Sequence, residues 1–203
     1  MSVIIAGIHT GIGKTICSAI ICEATGYDYW KPVQAGSLED SDSIFVQKNI
    51  SNSFVKIHPE TYRLQTAASP HIAAEIDDVE IKKENIILPK STNKIIVETA
   101  GGLMSPFSNT FFNIDLPIHL NLPVILVSNN YLGSINHTLL SVEALQKRNI
   151  EIKGIVFSGE EVESTRSFIL EYTKLPLLFS IPYFEKINAE TIQTFAKTIS
   201  INL

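Results

Sequence analysis

A glycine-rich segment near the start of the chain, Gly7-Ile8-His9-Thr10-Gly11-Ile12-Gly13-Lys14-Thr15, contains residue types suited to binding phosphate. Glycines let the backbone curl so that several N–H groups point inward, and the lysine can reach the β- and γ-phosphates of a nucleotide. The hydroxyl of Thr15 can ligate Mg²⁺. An apolar run precedes the segment and a helical pattern follows it, which is the setting of a phosphate-binding loop (P-loop). The segment therefore predicts nucleotide binding.

The spacing of this segment departs from the usual P-loop motif. That motif places four residues between its first glycine and Gly-Lys-Ser/Thr, which would put the first glycine at Ile8. Here Gly7 leaves five residues before Gly13. We still interpret the segment as a phosphate loop because of its position between an apolar run and a helix.

Charged residues that could complete such a site follow two other apolar runs. Glu98 ends one run, and active sites in open α/β sheets lie at the carboxyl ends of strands. Asp40 and Asp42 both lie near a probable helix start, and spacing alone does not choose between them. Lys31 lies within an apolar run, where a lysine is costly to bury unless it meets an anion. From that segment alone, a lysine that snorkels from an edge strand is the simpler interpretation.

Apolar runs alternate with helical patterns along the chain. The runs predict strands at 3–6, 29–33, 94–98, 123–128, 151–157 and 177–181. The helical patterns predict helices at 14–25, 41–50, 134–148, 163–173 and 189–199. A further helix is predicted to start at Ser69-Pro70, and 77–88 is predicted to be a second helix or a turn and helix. Residues 51–68 are expected to be irregular. The prediction is an α/β fold, a single P-loop NTPase-like domain over 1–203 with a doubly wound, mostly parallel sheet and flanking helices.

Composition limits the function classes. The 203 residues carry a formal net charge of −5, with 45% hydrophobic and 18% charged residues, which predicts a folded core and disfavours a general nucleic-acid binder. No apolar run approaches the ~18 residues that span a bilayer, and the N-terminus fits a first strand better than a signal peptide. We therefore expect no nucleic-acid or membrane partner and a cytoplasmic location. Cys17 and Cys22 are expected to be reduced core residues.

The order and spacing of these motifs resemble the dethiobiotin synthetase family nearly from end to end. The resemblance rests on the P-loop, Tyr29-Trp30-Lys31-Pro32-Val33, Ser41-Asp42, Ser69-Pro70-His71, Val97-Glu98-Thr99-Ala100-Gly101-Gly102, Ser105-Pro106 and Leu132-Gly133-Ser134-Ile135-Asn136-His137. It implies an ATP- and Mg²⁺-dependent ligase of biotin biosynthesis that acts as a homodimer. The implied substrates are ATP, CO₂ and 7,8-diaminopelargonate. A carbamate would be phosphorylated to a carbamic-phosphoric anhydride, and ring closure would give dethiobiotin, ADP and phosphate.

The same resemblance implies roles for individual residues. Lys14 and Lys31 match the catalytic lysines, and Thr15, Asp42 and Glu98 match the Mg²⁺ ligands, so Asp42 is selected over Asp40 by resemblance alone. The implied nucleotide-binding residues are Gly11, Ile12, Gly13, Lys14, Thr15, Ile16, Asp42, Glu98, Thr99, Ala100, Gly101, Pro182 and Tyr183. The implied substrate-binding residues are Thr10, Lys31, Ala35 and Gly101, together with Leu132, Gly133 and Asn136 in a turn that would reach the partner subunit's substrate.

Three positions depart from the family pattern. Ala35 stands where many relatives have Ser or Thr, so a hydroxyl contact to the substrate is missing. Thr99 stands where Gly is common, and its side chain would crowd the nucleotide or add a hydroxyl contact. Ser158-Gly159 stands where some relatives read adenine with Asn-Asp, so base selectivity is expected to be loose, with Ile181-Pro182-Tyr183 as a possible wall of the base pocket.

Two other functions share the P-loop. Nucleotide-switched proteins of the partition or metallochaperone type would have a second signature lysine where His9 stands, and its absence disfavours them. An amidoligase acting on cobyrinate-type substrates is disfavoured because the sequence shows no glutaminase domain.

Overall fold

The computed structural model describes residues 1–201, so the last two positions of the predicted domain 1–203 lie outside the described residues. The strands are β1 (Val3–Gly7), β2 (Asp28–Trp30), β3 (Val33–Ala35), β4 (Ile57–His58), β5 (Tyr62–Leu64), β6 (Ile95–Glu98), β7 (Val124–Asn129), β8 (Ile152–Ser158) and β9 (Leu177–Ile181). The α-helices are α1 (Lys14–Thr25), α2 (Asp42–Asn49), α3 (Pro70–Ile76), α4 (Leu116–Leu120), α5 (Ser134–Gln146), α6 (Glu163–Thr173) and α7 (Ala189–Ala196).

A seven-stranded parallel sheet forms the centre of the fold. Its order is β4-β2-β6-β1-β7-β8-β9, so the fully buried β1 lies between β6 and β7. Helices α1, α2 and α7 pack together, and α5 packs with α6 as a second group. This arrangement confirms the predicted α/β fold with a parallel sheet and flanking helices. The carboxyl ends of β1, β2 and β6 meet at one edge, which is where such sheets form their sites.

The prediction of one strand over 29–33 is wrong. Strand β2 of the main sheet ends at Trp30. Val33 begins β3, which pairs with β5 in a separate two-stranded sheet. Pro32 lies between the two strands and has no N–H to donate to a ladder, although its carbonyl accepts from Tyr62 N at 3.0 Å. Lys31 is therefore not inside a strand but in the two-residue gap between two sheets.

One other segment differs from its prediction. Residues 51–68, expected to be irregular, contain the short strands β4 and β5, which form by pairing with distant segments. Residues 77–88, predicted as a second helix or as a turn and helix, contain a turn at 77–78 and a single helical turn at Lys83–Asn85. Asp78 takes a left-handed φ of 54°, which ends the helical path after α3. The short helix α4 was not predicted.

Other expectations concern membranes and cysteines. Within residues 1–201 no helix is long and apolar enough to cross a membrane. Cys17 and Cys22 are free and buried on α1, and burial raises the pKa of both thiols, in keeping with core residues.

Candidate active site

The P-loop connects the central strand β1 to the start of α1. Gly11 and Gly13 have φ values of 69° and 91°, a left-handed region that favours glycine. Gly7 is constrained by space instead, since a Cβ there would lie 2.8 Å from Ile12 Cδ1 and 2.9 Å from Lys14 Cδ. A glycine is therefore required at position 7, because the side chains of Ile12 and Lys14 pass where a Cβ would lie.

Lys14 is held inside the loop rather than in solvent. Its side chain is buried, and Nζ donates to the carbonyl of His9 at 3.0 Å. Burial lowers the pKa of Lys14 to about 8, with help from Lys31 and against the opposing charges of Glu98 and Asp42. An anion bound in the loop would favour the charged form, so the lysine is suited to pairing with phosphate.

Thr15, Asp42 and Glu98 bring oxygen atoms together beside the loop. Thr15 Oγ1 lies 2.8 Å from Asp42 Oδ1 and 2.8 Å from Glu98 Oε1. Asp42 is the first residue of α2, whereas Asp40 points to the surface and pairs with Lys48 at 3.6 Å. The structure therefore places Asp42 at the site and Asp40 away from it.

This donor set fits Mg²⁺, which binds oxygen ligands through one or two carboxylates and completes its shell with water and phosphate. Among residues 1–201 no group of three or more His, Cys, Asp and Glu side chains could hold a metal by itself. The ion would thus need the nucleotide as well as the three protein oxygens.

Lys31 bridges the two carboxylates. It forms ion pairs with Asp42 and, at 3.4 Å, with Glu98 Oε1, and its side chain is only 7% exposed. Burial alone would lower the pKa of Lys31, but the charges of Glu98 and Asp42 outweigh burial and raise that pKa above its usual value. In Asp42 burial is outweighed in the same way, and the pairing with Lys31 lowers the pKa of the carboxyl. Lys31 is therefore a permanent cation at the site.

Sequence reasoning missed the groups that hold the other oxygen of Glu98. Glu98 Oε2 accepts from the Ser18 hydroxyl at 2.8 Å and from the Tyr29 phenol at 3.0 Å. Ser18 lies three residues after Thr15 and four after Lys14 on α1, so helical spacing could have placed it on the same face. Tyr29 had no such signal, because β2 and β6 are distant in sequence.

Two adjoining cavities open at this edge of the sheet. The smaller, the phosphate cavity, has a volume of about 160 Å³. It is lined by Thr10, Gly11, Ile12, Gly13, Lys14, Thr15, Lys31, Asp42, Glu98 and Gly101. The larger, the second cavity, has a volume of about 430 Å³. It is lined by Thr10, Lys31, Gln34, Ala35, Asp42, Ala67, Ala68, Ser69, Pro70, Ala100, Gly101 and Ser105. Both cavities share Thr10, Lys31, Asp42 and Gly101.

The turn after β6 forms part of the wall of the second cavity. Asn113 fastens it by donating from Nδ2 to Ala100 O at 2.5 Å and to Gly102 O at 2.8 Å, a role that the sequence did not indicate. The hydroxyl of Thr99 donates to Ile5 O at 3.2 Å and the residue is buried. Its side chain is thus engaged with the central strand, contrary to the expectation that it would crowd or contact a nucleotide.

The remaining predicted residues lie outside the two cavities. Leu132, Gly133 and Asn136 lie at the start of α5 on an exposed surface, and Leu132 is fully exposed. Pro182 and Tyr183 follow β9 and are exposed too. Ile16 is on α1 and packs against the core. The structure brings together the phosphate and carboxylate residues, whereas Leu132, Gly133 and Asn136 line neither cavity. Tyr131, directly before them, does meet the P-loop, with its ring edge-on to His9 at 6.3 Å between centroids.

Ser158 lies directly against the P-loop. A Cβ on Gly13 would come 2.4 Å from Ser158 Oγ, so the glycine is needed for this approach. Ser158 is the last residue of β8 and packs against the P-loop. It occupies the position at which some relatives have the Asn of the adenine-reading Asn-Asp pair.

The sequence of this chain matches one family model and a group of relatives that share one name. A family model described as an AAA domain matches residues 1–191. The "ATP-dependent dethiobiotin synthetase BioD" of Christiangramia forsetii is 45% identical over 98% of this chain and 97% of its own length. The proteins of the same name from Cytophaga hutchinsonii and Chlamydia pneumoniae are 45% and 43% identical, over 95% and 96% of this chain and 93% and 87% of theirs.

Solved structures with the same fold have distant sequences. A ParA family ATPase from Chlorobium tepidum superposes with a TM-score of 0.61 at 12% identity over 98% of this chain and 99% of its own. The cell division ATPase MinD of Pyrococcus furiosus gives 0.62 at 15% identity over 97% of each chain. These likenesses show the fold. The site has a P-loop, two carboxylates and a buried lysine at one edge of the sheet, and the sequence matches cover nearly the full length of the chain. The chain therefore belongs to the ATP-dependent dethiobiotin synthetase family.

Proposed function

We propose that this chain is a ligase that converts 7,8-diaminopelargonate, CO₂ and ATP into dethiobiotin, ADP and phosphate, a step of biotin biosynthesis. The family relationship supports the overall reaction. One observation carries the chemistry: the phosphate cavity and the second cavity meet at Lys31, Asp42, Thr10 and Gly101. A terminal phosphate in the first could therefore be attacked by a group held in the second.

The first step needs no nucleophilic side chain. An amine of the substrate attacks CO₂, and a C–N bond forms as one C–O π bond opens. The nitrogen gives a proton to solvent, which leaves a carbamate anion. Lys31, which lines both cavities, is the cation placed to hold that anion, because it stays charged between Asp42 and Glu98. Binding the carbamate beside the nucleotide would make the reaction of the two anions effectively unimolecular instead of bimolecular.

Phosphoryl transfer follows. A carbamate oxygen forms a bond to the γ-phosphorus while the bond to the bridging oxygen breaks and ADP leaves. Such a transfer depends on positioning and on neutralising charge on the phosphate oxygens. Lys14 and the N-terminal end of α1 would bind the phosphates, and Lys31 would stabilise the transferred group. Thr15, Asp42 and Glu98 would hold Mg²⁺, which supplies further positive charge at the phosphates when bound.

Ring closure uses the second amine of the same substrate. It attacks the carbonyl carbon of the carbamic-phosphoric anhydride and gives a proton to solvent. The C–O bond to phosphate breaks, and phosphate leaves as the cyclic urea forms. The second cavity, at about 430 Å³, is of a size to hold a small diamine near Lys31. Ala35 contributes only backbone and a methyl group to its wall.

The working unit is proposed to be a homodimer. Leu132, Leu140 and Met104 expose apolar side chains, and Leu140 and Met104 line a further cavity of about 470 Å³ with Thr10. Since Thr10 also lines the second cavity, a partner covering these side chains would be in reach of the substrate. This would explain why one chain alone leaves Leu132, Gly133 and Asn136 apart from the site.

The direct test is product formation. Purified protein incubated with 7,8-diaminopelargonate, bicarbonate, Mg²⁺ and ATP should form dethiobiotin, detected by mass spectrometry, with one ADP for each product molecule. Omission of the diamine should stop ADP release. ATP turnover that ignores the diamine, with no dethiobiotin formed, would contradict the proposal and favour a nucleotide-switched binding protein.

A further inference from the structure

The carboxylate of Glu98 has two distinct sides in this structure. Oε1 lies at the phosphate cavity, 2.8 Å from Thr15 Oγ1 and 3.4 Å from Lys31 Nζ. Oε2 faces the interior, 2.8 Å from Ser18 Oγ and 3.0 Å from the Tyr29 phenolic oxygen. Ser18 and Tyr29 are fully buried, and Glu98 is 1% exposed. Only Oε1 is therefore placed to serve a ligand.

The two donors to Glu98 Oε2, Ser18 and Tyr29, differ in the hydrogen-bond acceptors that lie within their reach. Ser18 Oγ also lies 3.0 Å from Lys14 O, so its single proton has two possible acceptors. The Tyr29 phenol has Glu98 as its hydrogen-bond acceptor, and its ring is fixed in β2 beside β6, where Tyr29 pairs with Ile96.

A donor to the rear oxygen restrains the rotation of the carboxylate. Without it, Glu98 would have a buried acceptor lacking one partner and could turn to share both oxygens with Lys31 and Thr15. Removing a group that orients a metal ligand in this way typically lowers metal affinity by roughly 10–100-fold. Their effect should be confined to states in which the cation is bound.

We propose that Tyr29, with Ser18 as its helper, is a positioning residue that fixes the Glu98 carboxylate and so sets the affinity of the nucleotide complex for its divalent cation. The phenol never touches substrate. It acts from the neighbouring strand by holding Oε2, which leaves Oε1 to face Thr15 and the phosphates. The inference rests on the proposed function only in taking Glu98 as a cation ligand.

The test measures metal binding rather than turnover. Mn²⁺ binding to the full chain saturated with ADP would be followed by electron paramagnetic resonance. Tyr29→Phe keeps the ring and removes one hydrogen bond, and should raise the Kd for Mn²⁺ about tenfold. ADP affinity in EDTA should stay unchanged, because the P-loop itself is intact. Ser18→Ala, whose hydroxyl has an alternative acceptor, should shift the Kd in the same direction by less.

Two comparisons separate positioning from a general structural effect. Tyr27→Phe is the matched control, since it also removes one phenol from this segment, but the Tyr27 hydroxyl accepts from Lys94 at 2.7 Å, away from Glu98. It should leave Mn²⁺ affinity as in the parent protein. In a Glu98→Gln background, adding Tyr29→Phe should bring no further loss, because the oriented carboxylate is already gone.

The outcomes distinguish this inference from the proposed function. An unchanged Mn²⁺ Kd in a folded Tyr29→Phe protein would overturn it, as would equal losses in Tyr27→Phe or a full further loss in the Glu98→Gln background. If Tyr29→Phe fails to fold, an unchanged Kd in Ser18→Ala would overturn it instead. None of these results depends on dethiobiotin, so a failure to form the product would count against the proposed function alone.

Discussion

At the scale of single residues, the site is held together by charges that compensate one another. Two carboxylates and a buried lysine would each be costly to bury alone, and each lowers the cost of the others. Asp42 and Lys31 therefore stabilise one another before any ligand arrives. In the proposed reaction, a bound cation would share the carboxylate oxygens and leave Lys31 to meet the incoming anions.

Lys31→Ala tests this view. Removing the cation takes away the group placed between the two cavities, so dethiobiotin formation should fall by about a hundredfold or more. The variant should stay folded in the presence of Mg²⁺ and ADP, because the bound ion can replace some of the lost positive charge beside Asp42 and Glu98. Product assays and circular dichroism would measure the two effects.

The control for Lys31→Ala is Lys48→Ala. Lys48 also pairs with an aspartate, but it is exposed on α2, and such a pair contributes little. It should leave activity unchanged. Full activity in a folded Lys31→Ala protein would show that Lys31 serves only the fold.

At the scale of elements, the short edge strands are held by a buried polar cluster at the far end of β2. Asp28 accepts from His58 at 2.9 Å, from Ser91 at 2.7 Å, and from Asn93 and the backbone N–H of Lys56 at 3.1 Å each. Burial would raise the pKa of Asp28, but these hydrogen bonds outweigh burial and lower it. The cluster thus joins β2, β4 and the chain before β6.

Asp28→Asn should destabilise the fold at neutral pH. An amide cannot accept from all four donors, so the free energy of unfolding should fall by about 2 kcal/mol at pH 7, measured by urea denaturation. Because the folded-state pKa of Asp28 lies below the unfolded value, its stabilisation is complete above that value and is lost as pH falls through the folded pKa. The difference between the two proteins should therefore shrink below about pH 4.

Asp40→Asn provides the comparison for this cluster. The Asp40 side chain is 83% exposed and pairs only at the surface, so its replacement should change stability little at either pH. A difference between parent and Asp28→Asn that stays constant down to pH 3 would show that the carboxylate charge is not what stabilises the cluster.

Elements that depend on local signals were predictable, and those that depend on distant partners were not. Helix α1 has the predicted bounds, because left-handed glycines precede and follow it. Strand β4 has two residues and exists only because Tyr29 and Trp30 pair with Ile57 and His58, which no local pattern reveals.

The same distinction holds in the site. The P-loop and Glu98 adjoin strand ends that the sequence marks clearly. The choice of Asp42 over Asp40 depended on resemblance, because both lie within one turn of a helix start. The contributions of Tyr29 and Asn113 depend on which buried atom each contacts, and that is decided by the packing of segments far apart in the chain.

At the scale of the whole molecule, global charge says little about the ligand. The chain has a net charge of −5, yet Lys14 and Lys31 are buried at the candidate active site, where the proposed reaction needs cations. Leu132, Leu140 and Met104 expose apolar side chains, and the proposed homodimer would cover them. The substitutions that decide the active assembly should therefore lie outside the charged site.

Leu132→Asp addresses that assembly. A charge at this fully exposed position would be buried unpaired in a dimer, so sedimentation should show a shift to monomer. Dethiobiotin formation should fall about tenfold or more, while ADP binding stays close to that of the parent because every residue lining the phosphate cavity comes from one chain. Phe54→Asp, at another exposed apolar residue, should change neither mass nor activity. A parent protein that sediments as a monomer with full activity would contradict the proposed dimer, and a monomeric Leu132→Asp protein with full activity would show that no partner residue completes the site.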